Sequence, residues 1–164
     1  MKKIALGGKN GVGKFALVDD GDYDYLNQWK WRIDPKGYAL RTKKINGKQK
    51  ILFIHRVIMN LPSGIRVDHK DGNALNNQRS NLRECTAEQN QRNRGKQRNN
   101  KSGYKGVFFD KARRKWRAMI GMNGRLIHLG FFIDKVDAAK AYDRAALKYF
   151  GEFAWLNFHL SAVS

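Results

Sequence analysis

Val67-Asp68-His69-Lys70-Asp71-Gly72-Asn73, followed by Asn76-Asn77, Asn81-Leu82-Arg83 and Glu88-Gln89-Asn90, is the stretch whose reading decides the fold. Ile65 to His69 reads as a short strand, and Asp71-Gly72-Asn73 as a turn. Leu82 to Cys85 supplies a second short strand. Thr86 is a good N-cap with Glu88 and Gln89 in the first turn of the helix that follows, which carries Asn90 back over the strands. Alternation along an ideal strand sends Asp68 and His69 to opposite faces, so to address one phosphate they must lie at its frayed end.

The residue types point to phosphodiester hydrolysis. That reaction needs a base to activate water, a divalent cation on the scissile phosphate and stabilisation of the departing 3′ oxygen. A hard cation such as Mg²⁺ takes oxygen ligands and keeps several waters, so one carboxylate and one amide oxygen can suffice. An imidazole beside them can act as the base. Taken singly the same residues are ordinary: Asp68 can close an Asx-turn with Gly72, and Asn81 and Asn90 can be turn and surface residues. Polar turn residues have no reason to recur jointly at these separations. His55 opens an apolar run (Ile54, Val57, Ile58, Leu61) and reads as packing or hydrogen-bonding under the site rather than as a ligand. For Asp71 and Asn77 an outer or phosphate contact and a local turn stay equally open.

Over roughly residues 50–93 this pattern resembles the HNH endonucleases, in the branch where the last metal-binding His is replaced by Asn. The resemblance implies a ββα-metal (His-Me finger) core. It also implies one Mg²⁺ (or Mn²⁺) on Asp68 and Asn90, His69 as general base, and Asn81 as the residue that pins the connecting loop and so orients His69. Enzymes of this branch are common as phage and intron-encoded homing endonucleases, which implies a cytoplasmic setting in a bacterial or phage-infected cell.

Composition agrees. Lys plus Arg number 33 against 14 Asp plus Glu, a formal charge of +19, of the sign that condenses onto polyphosphate. No long apolar run supports a membrane partner, and Gly7 to Lys14 interrupts the apolar core that a signal peptide would need after Met1-Lys2-Lys3. Cys85 is the only cysteine, which excludes a disulfide framework and a thiolate cluster and fits a reducing compartment.

Residues 1–54 read as a β-rich auxiliary segment. Asn46-Gly47 suits a type I′ turn between Tyr38–Ile45 and Lys50–Phe53, on a sheet that would carry Arg41, Lys43, Lys44 and Lys48. Gly8 to Lys14 imitates a phosphate-binding P-loop, but Phe15 stands where Ser or Thr is needed and a strand follows where a helix should. A glycine-rich hairpin loop is the expectation there. The stretch 94–103 is basic and reads either as a linker tracking DNA backbone or as a solvated joint.

Residues 104–158 resume a regular pattern. Asn123-Gly124 is a two-residue turn, pairing Met122 with Arg125 and, four steps on, Ala118 with Leu129. Trp116, Ala118, Ile120, Ile127 and Leu129 then share the buried side, and Lys115, Arg117, Met119, Gly121, Leu126 and His128 the other. A helix runs from after Asp134 to Gly151, with alanines for close approach and Tyr142, Leu147 and Phe150 for bulk. Tyr104-Lys105-Gly106-Val107, Trp116-Arg117-Ala118, Leu129-Gly130-Phe131-Phe132, the alanine-rich helix and Leu156-Asn157 resemble the Apetala or ethylene-response-factor DNA-binding domain. That resemblance implies a strand face laid in a DNA major groove, with Lys105, Arg113, Arg114, Lys115, Arg117 and Arg125 as contacts. A merely solvated basic face is the plain alternative. The plant pattern's DNA-facing arginines and tryptophan are departed from at Phe108, Asp110 and His128, so no target sequence carries over.

The expectation is an α+β chain. An HNH core at 55–93 with short N-terminal strands would be joined through the linker to a three-stranded antiparallel sheet packed on one helix at 104–158. It would act as a monomer on double-stranded DNA as a site-preferring endonuclease. The rival is a non-catalytic DNA-binding regulator with a vestigial nuclease fold. An RNA-binding role is weaker, because no aromatic pairs for stacking single-stranded bases are evident on the sheet.

Overall fold

The computed structural model describes residues 1–158, which form two compact units, one from Met1 to Asn90 and one beginning at Gln91. In the first unit β1 (Lys2–Gly7) and β2 (Phe15–Val18) form a hairpin closed by Gly8 to Lys14, where Leu6 N–H donates to the Lys14 carbonyl at 3.1 Å. A Cβ at Gly11 would lie 2.3 Å from the Gly7 oxygen, so the glycines serve a tight backbone crossing. The P-loop look is therefore hairpin geometry, as expected. Next come α1 (Asp20–Leu26), β3 (Trp31–Ile33), β4 (Ala39–Ile45) and β5 (Lys48–Phe53). The five strands lie in the order β2-β1-β3-β4-β5, with β1 and β3 parallel and the other pairs antiparallel. Asn46 and Gly47 have φ of 50° and 77°, the two positive values that a type I′ turn demands.

Helix α1 is not foreseen by the sequence reading. Its segment, Asp20-Gly21-Asp22-Tyr23, has no apolar period, and its hold is tertiary: Leu26 is buried and the Trp31 indole donates to its carbonyl at 2.8 Å. The remaining elements are α2 (Ile54–Met59), β6 (Arg66–His69), β7 (Leu82–Cys85) and α3 (Ala87–Arg92), with β6 and β7 an antiparallel pair. The hydrophobic core crosses residue 54. Ile4, Leu6, Ala16, Val18, Leu26, Trp31 and Ala39 pack with Ile54 and Ile58 of α2 and Leu82 of β7. The N-terminal sheet is thus the floor on which the β6–β7 hairpin rests.

In the second unit β8 (Val107–Asp110), β9 (Lys115–Met122) and β10 (Arg125–Phe132) form an antiparallel sheet in the order β10-β9-β8, packed against α4 (Lys135–Phe150). The register follows the expectation from Met122↔Arg125 to Met119↔His128. It then slips at a bulge, so that Ala118 faces Gly130 rather than Leu129. Gly130 accepts φ of 136°, and the bulge lets Leu129 remain in the core. Asp134 caps α4 by accepting from Val136 N–H, and Ala138, Ala139, Ala145 and Ala146 bring the helix onto the sheet. Tyr142 and Phe150 are buried as expected, whereas Leu147 is 48% exposed and turned away. Residues 94–103 contain no helix or strand but are anchored: Ser102 is buried, and Asn100 Oδ1 accepts from Gly103 N–H at 2.8 Å. Among the described residues no helix is long and apolar enough to cross a membrane.

Candidate active site and basic sheet

The β6–β7 register sets Asp68 opposite Arg83 and His69 opposite Leu82. Opposed residues share a face, so Asp68 and Arg83 meet. Guanidinium Nε and Nη2 both donate to Asp68 Oδ2, at 2.9 and 2.7 Å, with both side chains buried. His69, one residue on, turns the other way. It is 5% exposed, and its ring lies 5.3 Å from that of His55 and 5.9 Å from that of Tyr38. Its Nε2 is 3.3 Å from Asn77 Oδ1. An amide oxygen can only accept, so this contact is a hydrogen bond in the tautomer that carries its proton on Nε2. His69 ends β6 but stays paired with Leu82, so the strand end is not frayed and the two side chains keep opposite faces.

The loop between the two strands is cross-braced. Asn81 Nδ2 donates to Asp71 Oδ1 at 2.9 Å and to the Asn76 carbonyl at 2.8 Å, while Asn81 Oδ1 accepts from Asp71 N–H at 3.1 Å. Lys70 N–H donates to the Asn81 carbonyl at 2.9 Å, so Asn81 holds the chain immediately after His69. Asp71 Oδ1 also accepts from Asn73 N–H at 2.8 Å, the hydrogen bond of a local Asx-turn. The loop is tied to β2 as well: Leu17 N–H donates to the Leu75 carbonyl and Asn77 N–H to the Leu17 carbonyl, both at 2.8 Å.

Asn90 is placed by the capping of α3. Thr86 N–H donates to Gln89 Oε1 at 2.8 Å and Gln89 N–H to Thr86 Oγ1 at 3.1 Å, a reciprocal capping box. Asn90 borders an open cavity of about 310 Å³ together with His55, Arg56, Gly64, Ile65, Arg66 and Val67. Asp68 and His69 are not among its lining residues. The structure therefore places Asn90 with His55, Asp68 with Arg83, and His69 with Asn77 and His55.

His55 is pressed between Phe53, stacked at 5.4 Å, and Tyr38, and its Nδ1 is buried without a hydrogen-bond partner among the described residues. Burial first, then the neighbouring His69 and Arg56, pull its pKa down to about 3. His69 is also lowered from the usual histidine value by burial, opposed by the Asn77 hydrogen bond and by Asp71 and Asp68. Burial thus favours the neutral form of both imidazoles. Arg56 donates to the Ile65 carbonyl at 2.6 Å and to the Leu61 and Pro62 carbonyls, so it shapes one wall of the cavity.

No group of three or more His, Cys, Asp or Glu able to hold a metal occurs among the described residues. A donor set of one carboxylate and one amide nonetheless suits a hard divalent ion that keeps its waters. Arg83 and Arg56 fall within residues 50–93 without a role that the sequence assigns, and Tyr38 lies outside them. The β6–β7 register is what sets Arg83 opposite Asp68, and Tyr38 reaches His69 from just ahead of β4, thirty-one positions earlier.

On the second unit's sheet, Arg114, Lys115 and Arg125 are exposed. Arg113 donates to Asp110 Oδ2 at 3.4 Å and lies 4.9 Å over the Phe131 ring. Arg117 is half-buried, with Nε unpartnered among the described residues. Lys105 has different surroundings from these arginines and lysines. Its ammonium is turned inward, donating to the Arg92 and Arg94 carbonyls at 2.7 and 2.6 Å, and burial lowers its pKa to about 8. Its backbone is bracketed by Asn157, whose Oδ1 accepts from Lys105 N–H at 2.7 Å. A phosphate reaching this ammonium would have to displace both of its carbonyl bonds.

Asp68 and His69 thus close the first strand of an antiparallel pair, and the capped helix that follows carries Asn90. The HNH endonuclease family model matches residues 53–92. Over 146 residues the chain is 32% identical to an uncharacterized HNH endonuclease, L560, of Acanthamoeba polyphaga mimivirus, covering 88% of this chain and 75% of the viral protein. It is 37% identical over 65 residues to Protein 3.8 of Escherichia phage T7, covering 40% of this chain and 54% of the phage protein. It is also 42% identical over 64 residues to APETALA2-like protein 2 of Oryza sativa subsp. japonica, covering 39% of this chain but 15% of the rice protein. The chain belongs to the HNH endonuclease family. It is accordingly an enzyme that hydrolyses phosphodiester bonds within nucleic-acid strands.

Proposed function

We propose that the chain is a metal-dependent, site-preferring DNA endonuclease of homing type, built on a ββα-metal core and delivered to double-stranded DNA by an Apetala-like C-terminal domain. The observation that carries this reading is the β6–β7 hairpin, which buries Asp68 and His69 side by side in sequence at a strand end and fixes each from behind, Asp68 by Arg83 and His69 by Asn77.

Asp68 and Asn90 would hold one Mg²⁺ or Mn²⁺, which would supply positive charge at the phosphate and the leaving oxygen. His69 acts as general base. With Nε2–H held by Asn77, the basic lone pair is on Nδ1, and burial keeps the ring neutral and able to take a proton from water. Asn81 keeps the loop after His69 from swinging, and Arg83 keeps the Asp68 carboxylate in one rotamer. His55 packs under His69. Arg113, Arg114, Lys115, Arg117 and Arg125 provide the duplex contacts, and one such site per chain makes a nicking monomer the simplest form.

Incubating the protein with supercoiled plasmid in Mg²⁺, in Mn²⁺ and in chelator tests this. Relaxed circles in metal and none in chelator are expected. Plasmid and phage DNAs left intact in every metal would leave only the non-catalytic regulator.

A further inference from the structure

The sheet of the second unit has one face covered by α4 and one open, and the register assigns each residue to its face. Phe108, Arg117 and Phe131 stand in one cross-strand row on the open face, Met119 and His128 in the next, and Gly121 and Leu126 in a third. Phe108 is 50% exposed, Phe131 36% and Leu126 71%. A sheet face open to solvent is ordinarily polar. Apart from Arg117 and His128 this one is apolar in its middle rows, and it is basic at its margins, where Arg114, Lys115 and Arg125 are exposed. Arg117 and His128 are the hydrogen-bonding side chains in those three rows.

A surface of that composition can be seated on a polyanion by its margins, but its centre offers few groups to pair with base edges. The apolar feature of a base edge in the major groove is the 5-methyl of thymine. We propose that the open face selects thymine-rich duplex sites by packing Phe108, Leu126 and Met119 on thymine methyls in the major groove. This rests on the reading that the sheet docks duplex DNA. Stacking of unpaired bases is the competing use of exposed rings. It is disfavoured because the Arg113 guanidinium lies 4.9 Å over the Phe131 ring and the His128 ring 4.6 Å from it, which leaves that ring less face to offer a base than Phe108 has.

The test selects bound sequences from a random duplex library with the full chain in chelator, then resynthesises the winning duplex with deoxyuridine in place of thymine. Affinity should fall about fourfold for each contacted methyl. Phe108→Ala and Leu126→Ala, both at exposed positions, should each narrow that difference between the two duplexes by about fourfold. Lys115→Gln should weaken both equally. Equal affinity for the two duplexes, a selected site without thymine, or tighter binding of the single strands would overturn the proposal. Failure to bind any duplex would instead bring down the docking reading itself, and with it this proposal.

Discussion

Asp68 and Arg83 are charged and buried together, and the cost of separating them is asymmetric. Two buried charges that satisfy each other add little net stability, but one left alone must be solvated by protein. Arg83→Leu should therefore destabilise the first unit by about 3–5 kcal/mol in urea unfolding. Adding Asp68→Asn should recover part of the loss. His55 yields a pH prediction. Its folded pKa of about 3 lies below the ordinary 6.5, so the unfolded chain binds more protons between those values. Stability contributed by neutral His55 is complete above pH 6.5 and is lost as pH falls toward 3, at about 1.4 kcal/mol per unit. Urea midpoints of wild type and His55→Asn followed down in pH should converge. Parallel curves would mean that His55 is not buried neutral.

At the scale of elements, close approach decides. A Cβ on Gly106 would lie 2.1 Å from the Tyr142 ring and 2.6 Å from the Met119 carbonyl, at φ of +75°. Gly106→Ala should cost about 2 kcal/mol or more and lower the melting transition of the second unit, whereas Gly124→Ala, also at positive φ but in open space, should cost less. The elements legible in the sequence are those whose signals are local. Asn46-Gly47 and Asn123-Gly124 fix their hairpins, Thr86 with Gln89 starts α3, and Asp134 starts α4. What escapes is what depends on distant residues. Helix α1 is held by Trp31, the bulge before Gly130 is invisible to strict alternation, and Leu147 sits on the exposed side of α4. In the site, the spacing of Asp68, His69, Asn81 and Asn90 is readable, and the groups that position them are not. Arg83 needs the strand register, and Tyr38 needs the five-stranded sheet.

Across the whole molecule, the shared core from Ile4 to Leu82 makes the N-terminal sheet part of the nuclease unit's stability rather than an appendage. Charge is used differently from place to place. Each cation that neutralises a phosphate releases counterions, so Lys115→Gln and Arg125→Gln should each reduce the slope of log affinity against log salt by about 0.9. Lys105→Gln should leave that slope alone and instead destabilise the second unit, since its ammonium is held by the Arg92 and Arg94 carbonyls. A reduced slope for Lys105→Gln would restore it as a contact. In the proposed mechanism His69 is the base of a metal-dependent cut in DNA. The most direct measurement compares wild type and His69→Ala for plasmid nicking rate in Mg²⁺ and for duplex affinity in chelator. The rate should fall about 10²–10⁴-fold with affinity unchanged. Nicking by His69→Ala at the wild-type rate would contradict the account.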